Sequence, residues 1–350
     1  MSVDDDATST RSEPRDSAPT LEEVAALAGV SRSTASRALN GGKRVSPTAQ
    51  SAVDAAIAEL GYTPNRAARS LVTRRTDSIA LVIPEPDERV LTDPFFSGTL
   101  NGLSSALAGS DLQLVLLISR PGESERTERY LRNGHVDGAV VVSHHKSDLL
   151  DTVLADSRMP SVFVGRPLNE VGRLHYIDVD NYAGGRLAAE HIISTGRTRI
   201  GLLAGPQDMA AGRDRLRGWV DVLEANGLRT DRVVTSDFTA EAATDAMAEL
   251  LEKHPDIDAV IAASDLIAVG ALNVLHERGR SVPDEIVIIG FDNLGVSTSP
   301  ALTTLTNPVV AMSRAAGHML LDLLENGDRE PQHTQFSPDL VVRASTSGER

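Results

Sequence analysis

The chain has 350 residues, 41% of them hydrophobic and 24% charged, with no cysteine and a formal net charge of −15. That length admits two or three domains with a sizeable core, and the lack of cysteine excludes disulfides, thiolate metal sites and cysteine nucleophiles. No apolar run is long enough to span a bilayer and the N-terminus lacks a basic-then-apolar signal pattern, so a cytoplasmic protein with no membrane partner is expected.

Residues 1–18 are polar and rich in Ser, Asp and Pro, the composition of a disordered tail. A helical domain is expected over residues 19–63. Thr20-Leu21-Glu22-Glu23 is a capping box that opens a helix with Leu21, Val24, Ala25 and Ala28 along one side. Gly29-Val30-Ser31 stops it, and a second helix runs from about Arg32 to Leu39. Ser46-Pro47 starts a third, which Gly61 ends. Between residues 17 and 75 eight basic residues face four acidic ones, while the acidity lies mostly after residue 76. A basic head on an acidic body can still bind phosphates.

After residue 77 short β-branched runs alternate with amphipathic stretches such as Tyr182 to Ile193 and Arg215 to Glu224. The runs are SIALVIP (78–84), LQLVLLIS (112–119), GAVVVS (138–143), SVFVGR (161–166), RIGLLAGP (199–206), AVIAASD (259–265) and EIVIIGFDN (285–293). Near-continuous apolar strands separated by helices predict parallel sheets covered on both faces. Their number fits two doubly wound sheets, with a ligand cleft at the carboxyl ends of the strands. The body is expected over 77–342, followed by a tail over 343–350.

The stretch from Thr20 to Asn40, TLEEVAALAGVSRSTASRALN, has the pattern of a helix-turn-helix. Its second helix presents Arg32, Ser33, Ser36 and Arg37 on one side, residue types that suit base edges. The alternative is an ordinary helical hairpin with a solvated polar face. His144-His145 is the only tight histidine pair. With no spaced third ligand it reads as two surface histidines rather than a metal site.

The segments LEEVAALAGVSRSTASRALN, GYTPNRAARSL, DPFF, VDGAVVVS, LLAGP, ASDLIAVGAL, VIIGFDN, ALTTLTNP and PDLVVRAST occur in one order from Thr20 to Thr346. Together they resemble the LacI/GalR family of bacterial repressors. The resemblance implies an all-α helix-turn-helix head on an α/β body of two doubly wound lobes, similar to periplasmic binding proteins. It implies DNA contacts from Ser31, Arg32, Ser33, Thr34, Ser36, Arg37, Asn40 and Tyr62. It also implies a hinge within residues 64–76, with Asn65, Ala68 and Leu71 on DNA and Leu71 as a minor-groove wedge. An apolar wedge of that kind kinks a duplex, and so short a helix needs a partner to fold. The other reading of Leu71 is a buried linker residue.

In the body, motif matching carries over Phe95 and Phe96 (in DPFF), Arg215, Phe238, Ser264 and Asp292 as effector contacts, with Arg166 as a further one. Carboxylate and guanidinium bind sugar hydroxyls in pairs, and an aromatic face packs on the ring. The structural alternatives are an Arg215–Asp292 ion pair and core positions for Phe95 and Phe96. Ser264 stands where some members have Asn, and Gly165 where some have Asp. The resemblance thus implies a homodimer on double-stranded operator DNA, switched by a sugar-like effector between the lobes. Tetrameric members carry a further C-terminal heptad helix, and the ending ASTSGER implies a dimer instead. No cofactor or metal is expected. The rivals are a transport solute-binding protein, disfavoured by the head, and a sugar-processing enzyme, for which no catalytic motif is found.

Overall fold

The computed structural model describes residues 19–39, 45–63, 75–120, 123–295, 301–327 and 330–347. The expected N-terminal tail, Asn40, Asn65, Ala68 and Leu71 lie outside the described residues. Two compact units divide between Arg75 and Thr76, each with its own hydrophobic core.

In the head, α1 (Leu21–Leu27), α2 (Arg32–Leu39) and α3 (Pro47–Leu60) start where the capping residues predict. The Thr20 hydroxyl accepts from the Glu23 amide at 3.3 Å, while the Glu23 carboxylate takes the Thr20 amide at 2.7 Å. Ser46 caps α3 through the Ala49 amide at 3.2 Å, and Gly61 closes it in the left-handed conformation. Val24, Ala25, Ala35, Ala38, Val53 and Ala56 are buried together, and the alanines let three short helices approach closely.

The body alternates strand and helix: β1 (Ser78–Ile83), α4 (Asp87–Thr92), α5 (Pro94–Leu107), β2 (Gln113–Ile118), α6 (Ser124–Arg132), β3 (Gly138–Val142), α7 (Leu150–Ala155), β4 (Ser161–Val164) and β5 (His175–Val179). Then come α8 (Asn181–Ser194), β6 (Ile200–Ala204), α9 (Ala210–Ala225), β7 (Val233–Thr235), α10 (Ala240–Lys253), β8 (Ala259–Ala262), α11 (Asp265–Glu277), β9 (Val287–Asp292) and β10 (Thr303–Thr306). The chain continues through α12 (Val309–Asn326), β11 (His333–Phe336), β12 (Leu340–Val341) and α13 (Ala344–Ser347).

One sheet has the order β11-β5-β4-β3-β1-β2 and the other β12-β10-β9-β8-β6-β7. All pairings are parallel except β10 with β12. Each lobe therefore starts at an inner strand and winds both ways, the arrangement that opens a crevice at the strands' carboxyl ends. The chain passes between the lobes after β5, after β10 and after β11. Helix α12 packs on α5 in the first lobe, while α8 packs on α9 in the second. A Cβ on Gly185 would lie 2.4 Å from the Arg215 carbonyl oxygen, so α8 and α9 meet backbone to backbone.

The expected C-terminal tail begins too early. Ser345 is fully buried, its hydroxyl donating to the Ile288 carbonyl at 2.6 Å and accepting from the Thr303 amide at 2.8 Å. Thr346 bonds Thr303 and His191 at 2.7 and 2.8 Å. Helix α13 thus belongs to the second lobe, because its hydroxyls complete the edge of β10.

Candidate functional sites

On the head, Ser31, Arg32, Ser33 and Arg37 are exposed and Thr34 and Ser36 are half-buried along α2. The Ser31 hydroxyl accepts from the Thr34 amide at 3.1 Å and shares hydrogen bonds with the Ser33 and Thr34 hydroxyls at 2.9 and 2.8 Å. It caps the helix as well as facing outward. Arg37 Nε donates to the Ser33 carbonyl at 3.0 Å, which aligns the side chain along the helix and leaves its other donors for a partner. Arg32 pairs with Glu22 at 2.5 Å, both mostly exposed. So exposed a pair is worth little and is readily exchanged for a phosphate or a base. Tyr62 packs its ring against the head core.

In the body, a cleft of about 750 Å³, its open mouth included, lies at the carboxyl ends of the strands. Asp292 stands at the end of β9 with φ 112, followed by Asn293 with φ 53. Two non-glycine residues in the left-handed region mark a strained turn of the kind found at binding sites. Arg215, on α9, reaches Asp292 Oδ1 at 3.3 Å, Asn181 Oδ1 at 2.9 Å and the Ala263 carbonyl oxygen at 2.5 Å. Its guanidinium carbon sits 3.5 Å from the Phe291 ring centroid and 5.9 Å from that of Phe238. Burial pushes the Asp292 carboxyl up, against the pull of Arg215 and Asn307, and pushes the Arg215 guanidinium down. The pair holds each other's charge in a largely buried place, where a polar interaction is screened less than in water.

This pair is tied to two of the passages between lobes. Asn181, at the passage after β5, receives Arg215 and donates to Asp178 at 3.1 Å. Asn307, at the passage after β10, donates to Asp292 at 3.0 Å. Burial raises Asp178 to about 6.

Phe95, Arg166, Arg215, Phe238, Ser264 and Asp292 all line the cleft. Phe96 does not. It is fully buried, edge-on to Phe95 at 5.4 Å, because successive residues of α5 point to different sides and only one faces the cleft. The Arg166 guanidinium is engaged by Asp214 of the second lobe at 2.5 Å. The Ser264 hydroxyl accepts from the Ile267 amide at 3.2 Å and caps α11. Gly165 has φ 102, which accounts for glycine there better than space does.

The histidine pair is not a surface feature. His144 is buried, edge-on to Phe163, and lines the cleft. His145 bridges the lobes, with Nδ1 2.9 Å from Asp208 and Nε2 3.3 Å from Glu85. Burial works against its charge, but the bonds and charges of Glu85 and then Asp208 outweigh it and raise the imidazole to about 9. The Lys146 amide adds a bond to the Asp208 carbonyl at 2.9 Å. Polar residues after apolar strands were drawn here by partners too distant in sequence to be read from it. Arg89, Asp178, Asn181, Asp208 and Asn307 escaped for the same reason. Among the described residues, no group of three His, Asp or Glu side chains is placed to hold a metal ion, and no helix is long and apolar enough to cross a membrane.

Residues 20–65 match the family model for bacterial regulatory proteins of the lacI family, and residues 189–346 match that for the periplasmic binding protein-like domain. The HTH-type transcriptional regulator CelR of Thermobifida fusca is 44% identical over 93% of this chain and 98% of its own length. The regulator GalR of Escherichia coli K12 is 34% identical over 94% of this chain and 96% of its own. A solved CelR–cellobiose complex aligns with a TM-score of 0.74 at 42% identity, covering 93% of this chain and 99% of that one. The lac repressor dimer bound to operator and the anti-inducer ONPF aligns with a TM-score of 0.80 at 25% identity, covering 94% and 99%. The chain belongs to the LacI family and is a DNA-binding transcriptional regulator switched by a small molecule, not an enzyme.

Proposed function

We propose that this regulator works in the cytoplasm as a homodimeric repressor whose effector is a glucose disaccharide of the cellobiose kind. The observation that carries the effector reading is the chain of hydrogen bonds from Asn181 through Arg215 and Asp292 to Asn307. It ties the two charged groups best suited to sugar hydroxyls to two of the segments about which the lobes would turn. A ligand that pulls on this pair biases the lobe angle, and in a two-fold dimer that angle sets the spacing of two heads on their half-sites. The closeness to a regulator solved with cellobiose supports a disaccharide, as does a cleft with an aromatic face between two charged ends.

On the DNA side, Arg32, Ser33 and Arg37 are the base readers of α2, with Ser31, Thr34, Ser36 and Tyr62 against the backbone. Arg37→Ala costs about 1–3 kcal/mol on the cognate operator and far less on random DNA. Equal losses on both would make Arg37 a phosphate contact.

A thermal-shift panel of cellobiose, glucose, ribose and a nucleoside tests the effector. Cellobiose at 100 times its dissociation constant stabilises the body by about 2.7 kcal/mol. A shift with ribose or the nucleoside and none with cellobiose would overturn the reading.

A further inference from the structure

We propose that Arg89 makes the cleft length-selective, receiving the second ring of a disaccharide whose first ring is held by Arg215 and Asp292. The inference rests on the carbohydrate reading above and goes beyond it by giving the far end of the ligand a partner.

Three observations converge on Arg89. It stands on α4, in the first lobe, and lines the cleft. Its guanidinium carbon is 5.5 Å from the Phe238 ring centroid, while that of Arg215 is 5.9 Å from the same ring. Phe238 is thus an aromatic floor flanked by two cations, one from each lobe. A sugar ring packing its C–H face there meets a guanidinium at either end.

The second observation is how Arg89 is held. Its Nη1 bonds Glu85 Oε1 at 2.5 Å, and its guanidinium carbon lies 5.7 Å from the Phe96 ring. Glu85 is itself fixed by the Ser143 hydroxyl at 2.6 Å. The side chain is therefore oriented before any ligand arrives, which lowers the ordering cost of binding.

The third is what Arg89 lacks. Its Nε is buried without a hydrogen-bond partner, the Asp93 carboxylate being 3.9 Å away. Asn307 Oδ1, also on the cleft lining and beside Asp292, is a buried acceptor likewise without a partner. Buried donors and acceptors left open are costly, and these two belong to residues of the cleft lining, where a ligand can complete them. A hydroxyl on one ring satisfies Asn307 beside Asp292, and a hydroxyl on the next satisfies Arg89. A single ring at the Arg215–Asp292 end leaves Arg89 Nε open, which is why the cleft prefers two rings to one.

Calorimetric titration with cellobiose and with D-glucose tests this, using the full chain and its Arg89→Gln and Arg89→Lys variants. The sugar-free melting temperature of each is recorded alongside. The wild type is expected to bind cellobiose more tightly than glucose. Both variants are expected to lose about 10- to 100-fold on cellobiose and less than about threefold on glucose. Lysine keeps a cation for Glu85 but not the fork, so it separates loss of the contact from loss of the fold. Equal losses on both sugars, or an unchanged preference in both variants, would overturn the role of Arg89 alone. A wild type that binds glucose as tightly as cellobiose would overturn the disaccharide reading with it.

Discussion

In the second lobe the charged groups of the cleft grow from the deepest parts of the fold. Asp292 ends a strand whose preceding residues are all buried, and Arg215 lies on a helix packed against α8 without intervening side chains. In the first lobe several of the charged groups turned toward the cleft or the second lobe stand on short segments. Arg89 is on a six-residue helix, His145 follows β3, and Arg166 follows β4. They meet the second lobe through His145–Asp208 and Arg166–Asp214. Two lobes of the same winding thus divide the work: one is a fixed receptor, and the other is a cover fastened by charged contacts. Ion pairs at such a rim can be remade at small cost, whereas a buried strand end cannot move without its core.

The comparison is broken most severely by glycine substitutions, which also give the largest expected effect. Gly185→Ala forces a methyl group to 2.4 Å from the Arg215 carbonyl, and separating α8 from α9 costs about 3 kcal/mol. Gly165→Ala, in the first lobe, meets no atom within 4 Å and suffers only from its φ of 102, about 1 kcal/mol. Thermal melts of the two variants rank them. A reversed order would contradict a rigid second lobe.

Next in size is Asp292→Asn. It removes the counter-charge of Arg215 while keeping the shape of the side chain, so both stability and effector affinity fall. We expect cellobiose affinity to drop about 100-fold, from two weakened charge-assisted hydrogen bonds. Normal affinity with lowered stability would leave the pair a structural element only.

The smallest effect belongs to the cover. His145 is raised from 6.5 to about 9 by Glu85 of its own lobe and then by Asp208 of the second. Only the Asp208 contact crosses between the lobes, so its share of the rise favours the closed form while the imidazole is charged and is lost as pH climbs through about 9. The groups facing it are Glu85, Asp208 and Asp148, the last accepting the His145 amide at 2.7 Å. Cellobiose affinity is expected to fall by up to about tenfold between pH 7 and pH 10, and His145→Phe is expected to flatten that profile. A wild-type profile already flat would remove His145 from lobe closure.

Much of this division was legible in the sequence, for reasons that can be traced to particular residues. The capping pairs Thr20–Glu23 and Ser46–Ala49 depend on neighbours three residues apart, so the head helices could be placed almost to the residue. The seven apolar strands stood out as near-continuous hydrophobic runs, most of them covered on both faces, although the edge strand β2 is only partly buried. Strand β5, HYIDV, and strand β11, HTQF, were missed because polar residues alternate through them and their pairing comes from 157 residues away. In the second lobe Asp292 could be placed from the run EIVIIGFDN, where burial ends in a carboxylate, whereas Arg215 came from the family resemblance. In the first lobe Phe95 and Arg166 came from the resemblance, while Arg89 and the pairing of His145 and Arg166 with the second lobe were missed, since they depend on residues of other elements. Even the tail at 343–350 was misjudged for this reason, because Ser345 reads as polar and is buried by β10.

The claim at the centre of this account is that occupancy at Arg215 and Asp292 is felt by the head on DNA. Fluorescence anisotropy of a labelled operator, titrated with full-length protein with and without saturating cellobiose, tests it directly. For the wild type, operator affinity is predicted to change by about 5- to 150-fold on adding cellobiose. Asp292→Asn is predicted to bind the operator with or without the sugar at one affinity, at a cellobiose concentration that saturates only the wild type. A wild-type affinity indifferent to cellobiose, or an Asp292→Asn variant that responds like the wild type, would contradict it.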